Sequence, residues 1–112
     1  MVINEFPDED SELLKSLFNY TVSSGLKNTF HEIRKHLDKL QEHGMLINKH
    51  FKREAIKKLA NNLYELRPDN IRITFSLVNG EIWLLSWFIK KSNKTPKKEI
   101  KNAQQKLKKI SK

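Results

Sequence analysis

The sequence predicts an α+β fold: a small antiparallel sheet of three to four strands, an N-terminal helical hairpin on one of its faces, and a basic C-terminal helix. Three observations predict it. Within residues 63–89, runs rich in Ile, Leu, Val, Phe and Trp flank two turn signals, Pro68-Asp69-Asn70 and Asn79-Gly80. Residues 13–40 carry apolar side chains at helical spacing. Residues 100–110 repeat that spacing among lysines.

Taken in order, residues 1–6 (MVINEF) suit a short edge strand, and an acidic, turn-like segment follows. A first helix starts near Ser11, with Asp8 or Asp10 as its N-cap. Leu13, Leu14, Leu17 and Phe18 make its apolar stripe, and Ser23-Ser24-Gly25 ends it. The second helix places Leu26, Phe30, Ile33, Leu37 and Leu40 on one side, and Gly44 stops it. Of His31, His36, His43 and His50, the first three lie on or near this helix but share no face, and no carboxylate completes a zinc pattern. They are expected at the surface or its boundary, with no metal. Residues 45–61 leave two choices open, since Arg53-Glu54-Ala55-Ile56-Lys57-Lys58-Leu59 reads either as a short helix or as an irregular lead-in to a strand.

The hairpins have a predicted register. Asn-Gly supplies the two positive-φ residues of a type I′ turn. It pairs Val78 with Glu81, Leu77 with Ile82, Ser76 with Trp83, Phe75 with Leu84, Thr74 with Leu85, Ile73 with Ser86 and Arg72 with Trp87. A four-residue connection at the first turn pairs Arg67 with Arg72, Leu66 with Ile73 and Tyr64 with Phe75. One face then gathers Tyr64, Leu66, Ile73, Phe75, Leu77, Ile82, Leu84 and Phe88 for helices to cover. The opposite face gathers Glu65, Arg67, Arg72, Thr74, Trp83 and Trp87. Adjacent arginines repel by roughly 1 kcal/mol when solvated, and an anion would offset that. In the C-terminal helix Thr95 is the expected cap, Pro96 the first helical residue, and Ile100, Ala103, Leu107 and Ile110 the apolar stripe. Lys97 and Lys98 stand in the first turn, where the helix dipole disfavours cations; this points to an external anion.

The totals bound the functional class. At 112 residues the chain makes one domain, residues 1–112, with room for a modest core. It has no cysteine, no apolar run of membrane-spanning length and no basic start, so a cytoplasmic protein is expected, away from membranes. Net charge is +9; residues 1–89 balance twelve bases against twelve acids, whereas residues 90–112 hold ten lysines and one acid, Glu99. Such a segment either attracts a polyanion, nucleic acid above all, or is a solvated tail. There is no Gly-rich phosphate loop or nucleophile elbow, and Ser86 has no histidine partner on its face.

Five pieces then occur in a telling order: Tyr64-Glu65-Leu66-Arg67-Pro68, Ile71-Arg72-Ile73, Trp83-Leu84-Leu85, Phe88-Ile89-Lys90-Lys91, and Lys94-Thr95-Pro96-Lys97-Lys98-Glu99-Ile100. Over roughly residues 56–107 the chain resembles the phage-derived branch of the RelE/HigB toxins of bacterial toxin–antitoxin pairs. The resemblance implies a RelE-like fold and cleavage of mRNA in the ribosomal A site. It implies no metal or other cofactor: the RNA's 2′-hydroxyl attacks the adjacent phosphate and leaves a 2′,3′-cyclic phosphate. It also implies a cognate antitoxin, often of helix-turn-helix type, through which alone the toxin meets DNA. Relatives often carry a histidine after the paired leucines, where this chain has Ser86 and Trp87.

Such chemistry needs a proton acceptor, positive charge on the phosphate and a proton donor for the leaving oxygen. Arg67 and Arg72 suit the phosphate clamp, Lys90 and Lys91 extend it, and Glu65 is either the general base or a counter-ion for Arg67. Trp87 is either a stacking surface for a splayed base or a packing residue, as is Trp83. Lys94, Lys97 and Lys98, with Lys57 and Lys58, continue the expected RNA path. A non-catalytic nucleic-acid-binding module, such as a degenerate toxin, would use the same face. A protein–protein adaptor would explain the hairpins but not the charge.

Overall fold

The structure, a computed structural model, describes residues 1–6 and 12–111. Its elements are β1 (Ile3–Glu5), α1 (Leu13–Ser23), α2 (Lys27–His43), a 3₁₀ segment (Gly44–His50), β2 (Ile56–Ala60), β3 (Leu63–Leu66), β4 (Ile71–Val78), β5 (Glu81–Ile89) and α3 (Lys97–Ile110). The strands form one five-stranded sheet in the order β1-β5-β4-β3-β2. β1 is the expected edge strand and runs parallel to β5, while the other pairs are antiparallel.

The extra strand is β2, so the sheet exceeds the expected three to four. Ile56-Lys57-Lys58-Leu59-Ala60 lacks clean alternation because it is an edge strand with a register shift between Lys58 and Ala60. A two-residue turn, Asn61-Asn62, joins it to β3. Asn62 takes φ of 50°, and its side-chain amide bonds both backbone groups of Leu77, at 2.9 and 3.1 Å.

The two predicted hairpins form. Tyr64 pairs with Phe75 and Leu66 with Ile73, as expected. At the second turn Asn79 and Gly80 take φ of 53° and 78°, and the register holds from Val78–Glu81 to Phe75–Leu84. It then slips by one: Thr74 pairs with Ser86, Ile73 with Trp87 and Arg72 with Phe88. This β-bulge at Leu85 corrects the expected pairings of Thr74, Ile73 and Arg72. Side chains alternate with a period of two, so one inserted residue reverses everything beyond it. Phe88 leaves the helical-hairpin face and Trp87 joins it, packing on Tyr20 and donating to Ser16 Oγ at 3.2 Å. Ser86 turns instead to Thr74, hydroxyl to hydroxyl at 2.6 Å. The bulge is stabilised by burying both leucines, Leu84 on one face and Leu85 on the other, while Lys106 Nζ donates to the Leu85 carbonyl at 2.9 Å.

Each sheet face has its own core. α1 and α2 bring Leu13, Leu17, Ile33 and Leu40 onto Leu66, Ile73, Phe75, Ile82 and Leu84. The N-terminus of α1 is met by β1, whose Glu5 carboxylate accepts from the Leu14 amide at 2.7 Å; the expected caps Asp8 and Asp10 lie outside the described residues. On the other face Ala103, Ile100, Leu107 and Ile110 of α3 pack with Leu63, Leu85, Trp83 and Phe6. The face expected to be open is therefore partly roofed by α3. Pro96, not Thr95, occupies the N-cap position, because the Thr95 hydroxyl is spent on Glu65. Among the described residues no helix is long and apolar enough to cross a membrane.

Candidate functional site

At the end of the sheet where β3 turns into β4, a cleft of about 730 Å³ opens between that turn and the middle of α2 with residues 50–54. One wall carries Arg67, Asp69, Asn70, Arg72 and Lys90; the other carries Glu32, Lys35 and His36 of α2 and residues 50–54. Six cations face three carboxylates, so the cleft is electropositive. Five of those cations come from the first 89 residues, where the overall charge cancels.

Local chemistry shapes the arginine wall. Asp69 takes φ of 54° and its carboxylate accepts from Thr29 of α2 at 2.6 Å, fixing the turn to the helix. Arg72 is 6% exposed and its Nη1 donates to the carbonyls of Asp69 and Ile71 at 2.8 and 2.9 Å. Burial, and next the neighbouring Arg67 charge, lower the Arg72 pKa from its ordinary value, against the opposing pull of Glu65 and Asp69. Arg67 Nε is buried with no hydrogen-bond partner among the described residues, and the nearest carboxylate oxygen, Glu65 Oε1, is 3.7 Å away. Two guanidiniums are thus crowded with incomplete neutralisation. A phosphate in the cleft would supply the missing negative charge.

Glu65 is 2% exposed, and its other oxygen accepts from Thr95 at 2.7 Å. This geometry matches the counter-ion alternative for Glu65. The remaining expected residues scatter. Lys90 lines the cleft, whereas Lys91 and Lys94 are exposed on the segment leading to α3. Lys97 and Lys98 line a separate shallow groove on α3 with Ile100, Lys101, Asn102 and Gln105. Lys57 and Lys58 are exposed on the edge strand β2. Trp87 and Trp83 are both committed to packing, under α1 and α3 respectively, so the expectation of Trp87 as an open-face stacking residue is corrected.

The second wall is not among the residues to which the sequence points. His50-Phe51-Lys52-Arg53 is a basic run with an aromatic inside it, which is a readable signal, but it lies in the segment whose structure the sequence leaves open. Lys35 and His36 carry no such signal, because only the packing of α2 aims them at the cleft. Among the described residues no group of three or more His, Cys, Asp or Glu is placed to hold a metal ion.

His36 corrects the expectation of surface histidines: it is 5% exposed, with Nδ1 2.7 Å from the Glu32 carbonyl. Burial lowers its pKa from the ordinary 6.5, outweighing the Glu32 carbonyl and carboxylate, which raise it; Lys35 lowers it further. The folded protein therefore protonates His36 at lower pH than the unfolded chain. Its contribution to stability is full above about pH 6.5 and falls as pH drops from there to the folded-state pKa. Thermal melts between pH 8 and pH 5 should show this decline, and His36→Gln should flatten it. An equally steep decline in the variant would assign the effect elsewhere.

A family model described as "Phage derived protein Gp49-like (DUF891)" matches residues 26–108, which includes both walls of the cleft. No curated protein matches the chain.

Proposed function

The chain belongs to the phage-derived Gp49-like family, a toxin–antitoxin-associated family, and from that premise we propose that it is a RelE/HigB-type toxin that cleaves mRNA on the ribosome. The observation that carries this reading is the crowded pair Arg67 and Arg72 beside Lys90, a phosphate clamp short of negative charge. Arg67 presents the outer end of its guanidinium to the scissile phosphate, the nearly buried Arg72 adds its charge while holding the turn, and Lys90 neutralises the charge that develops as the 2′-hydroxyl attacks. The reaction forms the 2′-oxygen–phosphorus bond as the 2′-hydroxyl proton passes to solvent water, and breaks the bond from phosphorus to the 5′-oxygen, which takes a proton from water as it leaves. Glu65 holds Arg67 in place. The partner is an antitoxin, of helix-turn-helix type, that blocks the cleft.

A non-catalytic RNA-binding role is the second reading, favoured by the burial of Glu65, the carboxylate nearest the clamp. Induced expression followed by mapping of mRNA ends separates the two. Growth arrest with codon-phased cleavage is expected. Arrest without new ends, or RNA binding with steep salt dependence and no cleavage, would leave only the binding role.

A further inference from the structure

The cleft walls differ in chemistry. The turn wall offers charge and backbone; the opposite wall adds an aromatic surface. Phe51 lies on His36 with ring centroids 4.3 Å apart and planes tilted by 32°. Its ring is half-buried against the core, while the His36 ring is anchored through Nδ1 to its own helix. Lys35 Nζ stands 5.2 Å from the centre of the Phe51 ring. A rigid, partly exposed aromatic ring set among six cations is the composition of a single-strand reader, in which charge tracks the backbone and rings take the bases.

We propose that Phe51, backed by His36, is the stacking platform for one unpaired base of the RNA strand whose phosphate the Arg67–Arg72–Lys90 wall holds. This inference rests on the reading of the cleft as an RNA site and adds to it where the base goes. Every base has a π-face, so the platform tolerates sequence but rejects duplex, whose bases are already stacked. Because Phe51 is pinned by its contacts, little freedom is lost when a base arrives. Lys35 yields the ring to the base and moves to a neighbouring phosphate. Base stacking contributes about 5- to 150-fold in affinity and a cation over an exposed ring only about 2- to 5-fold, so the exchange favours the base.

The test uses the full chain and three probes: a short mixed-sequence single-stranded RNA, the same RNA with abasic positions, and inorganic tripolyphosphate. Phe51→Leu keeps an apolar side chain at the site but removes the π-face. It should weaken the base-bearing RNA by about 10-fold and leave the abasic RNA and tripolyphosphate unchanged. Phe51→Trp should bind the base-bearing RNA at least as well as the parent chain. Equal weakening of all three probes by Phe51→Leu would make Phe51 a support of the cleft only, and no change in any would place the base elsewhere; either overturns the proposal while the RNA cleft stands. If the parent chain binds tripolyphosphate but neither RNA, the reading of the cleft as an RNA site falls, and the platform with it.

Discussion

Arg67→Ala is expected to lower RNA cleavage by about 10²- to 10³-fold, the usual effect of removing one preorganised donor from a developing phosphate charge. Stability should change little, because relief of the Arg67–Arg72 repulsion offsets the lost 3.7 Å ion pair to Glu65, and Arg67 Nε makes no hydrogen bond among the described residues. Arg67→Lys should not restore activity, since a point charge cannot reproduce the two-pronged grip. Arg72→Ala is a poorer test than its sequence position suggests. Its Nη1 holds two carbonyls of the β3–β4 turn, and leaving them without a donor costs about 1–3 kcal/mol, so its loss of activity mixes chemistry with folding. Purified Arg67→Ala protein that cleaves at the parent rate, with an unchanged melting curve, would remove the clamp from the mechanism.

Glu65→Gln should destabilise the fold by about 2 kcal/mol and also depress activity. The carboxamide still accepts from Thr95, but the negative charge beside Arg67 and Arg72 is gone. The two guanidiniums then face each other less screened, in a site that already disfavours a charged Arg72. Inorganic phosphate should therefore raise the melting temperature of the variant more than that of the parent chain. A general base would behave otherwise. Cleavage would vanish, stability would hold, and phosphate would protect both proteins alike; that pattern would return Glu65 to the role of proton acceptor.

These two positions show how far the sequence could be read. Arg67 and Arg72 follow from turn chemistry and register and Lys90 from the basic run after the last strand, and all three line the same cleft. Glu65 was placed correctly on the strand, yet its burial was not visible. Period-two alternation says which face a side chain takes, not what covers that face. Part of the cover is the segment leading into α3, whose Thr95 hydroxyl bonds the Glu65 carboxylate. Trp87 failed differently: one bulge at Leu85 reversed its face, and nothing in Leu84-Leu85-Ser86 announces an inserted residue. The lysine excess of residues 90–112 also pointed past the cleft, toward the exposed side of α3.

By itself the sequence determined what local physics controls: the Asn79-Gly80 hairpin, the two N-terminal helices, the apolar stripe of α3 and the facing pairs Leu66–Ile73 and Tyr64–Phe75. These follow from φ preferences and hydrophobic period, which act over a few residues. Only the tertiary structure decided where charges meet. Bringing Lys35, Phe51 and Arg53 opposite Arg67 and Arg72 joins a helix, a loop and a turn that are distant in sequence. Their juxtaposition is set by the docking of α1 and α2 on the sheet, a sum of many apolar contacts that no single stretch of residues encodes.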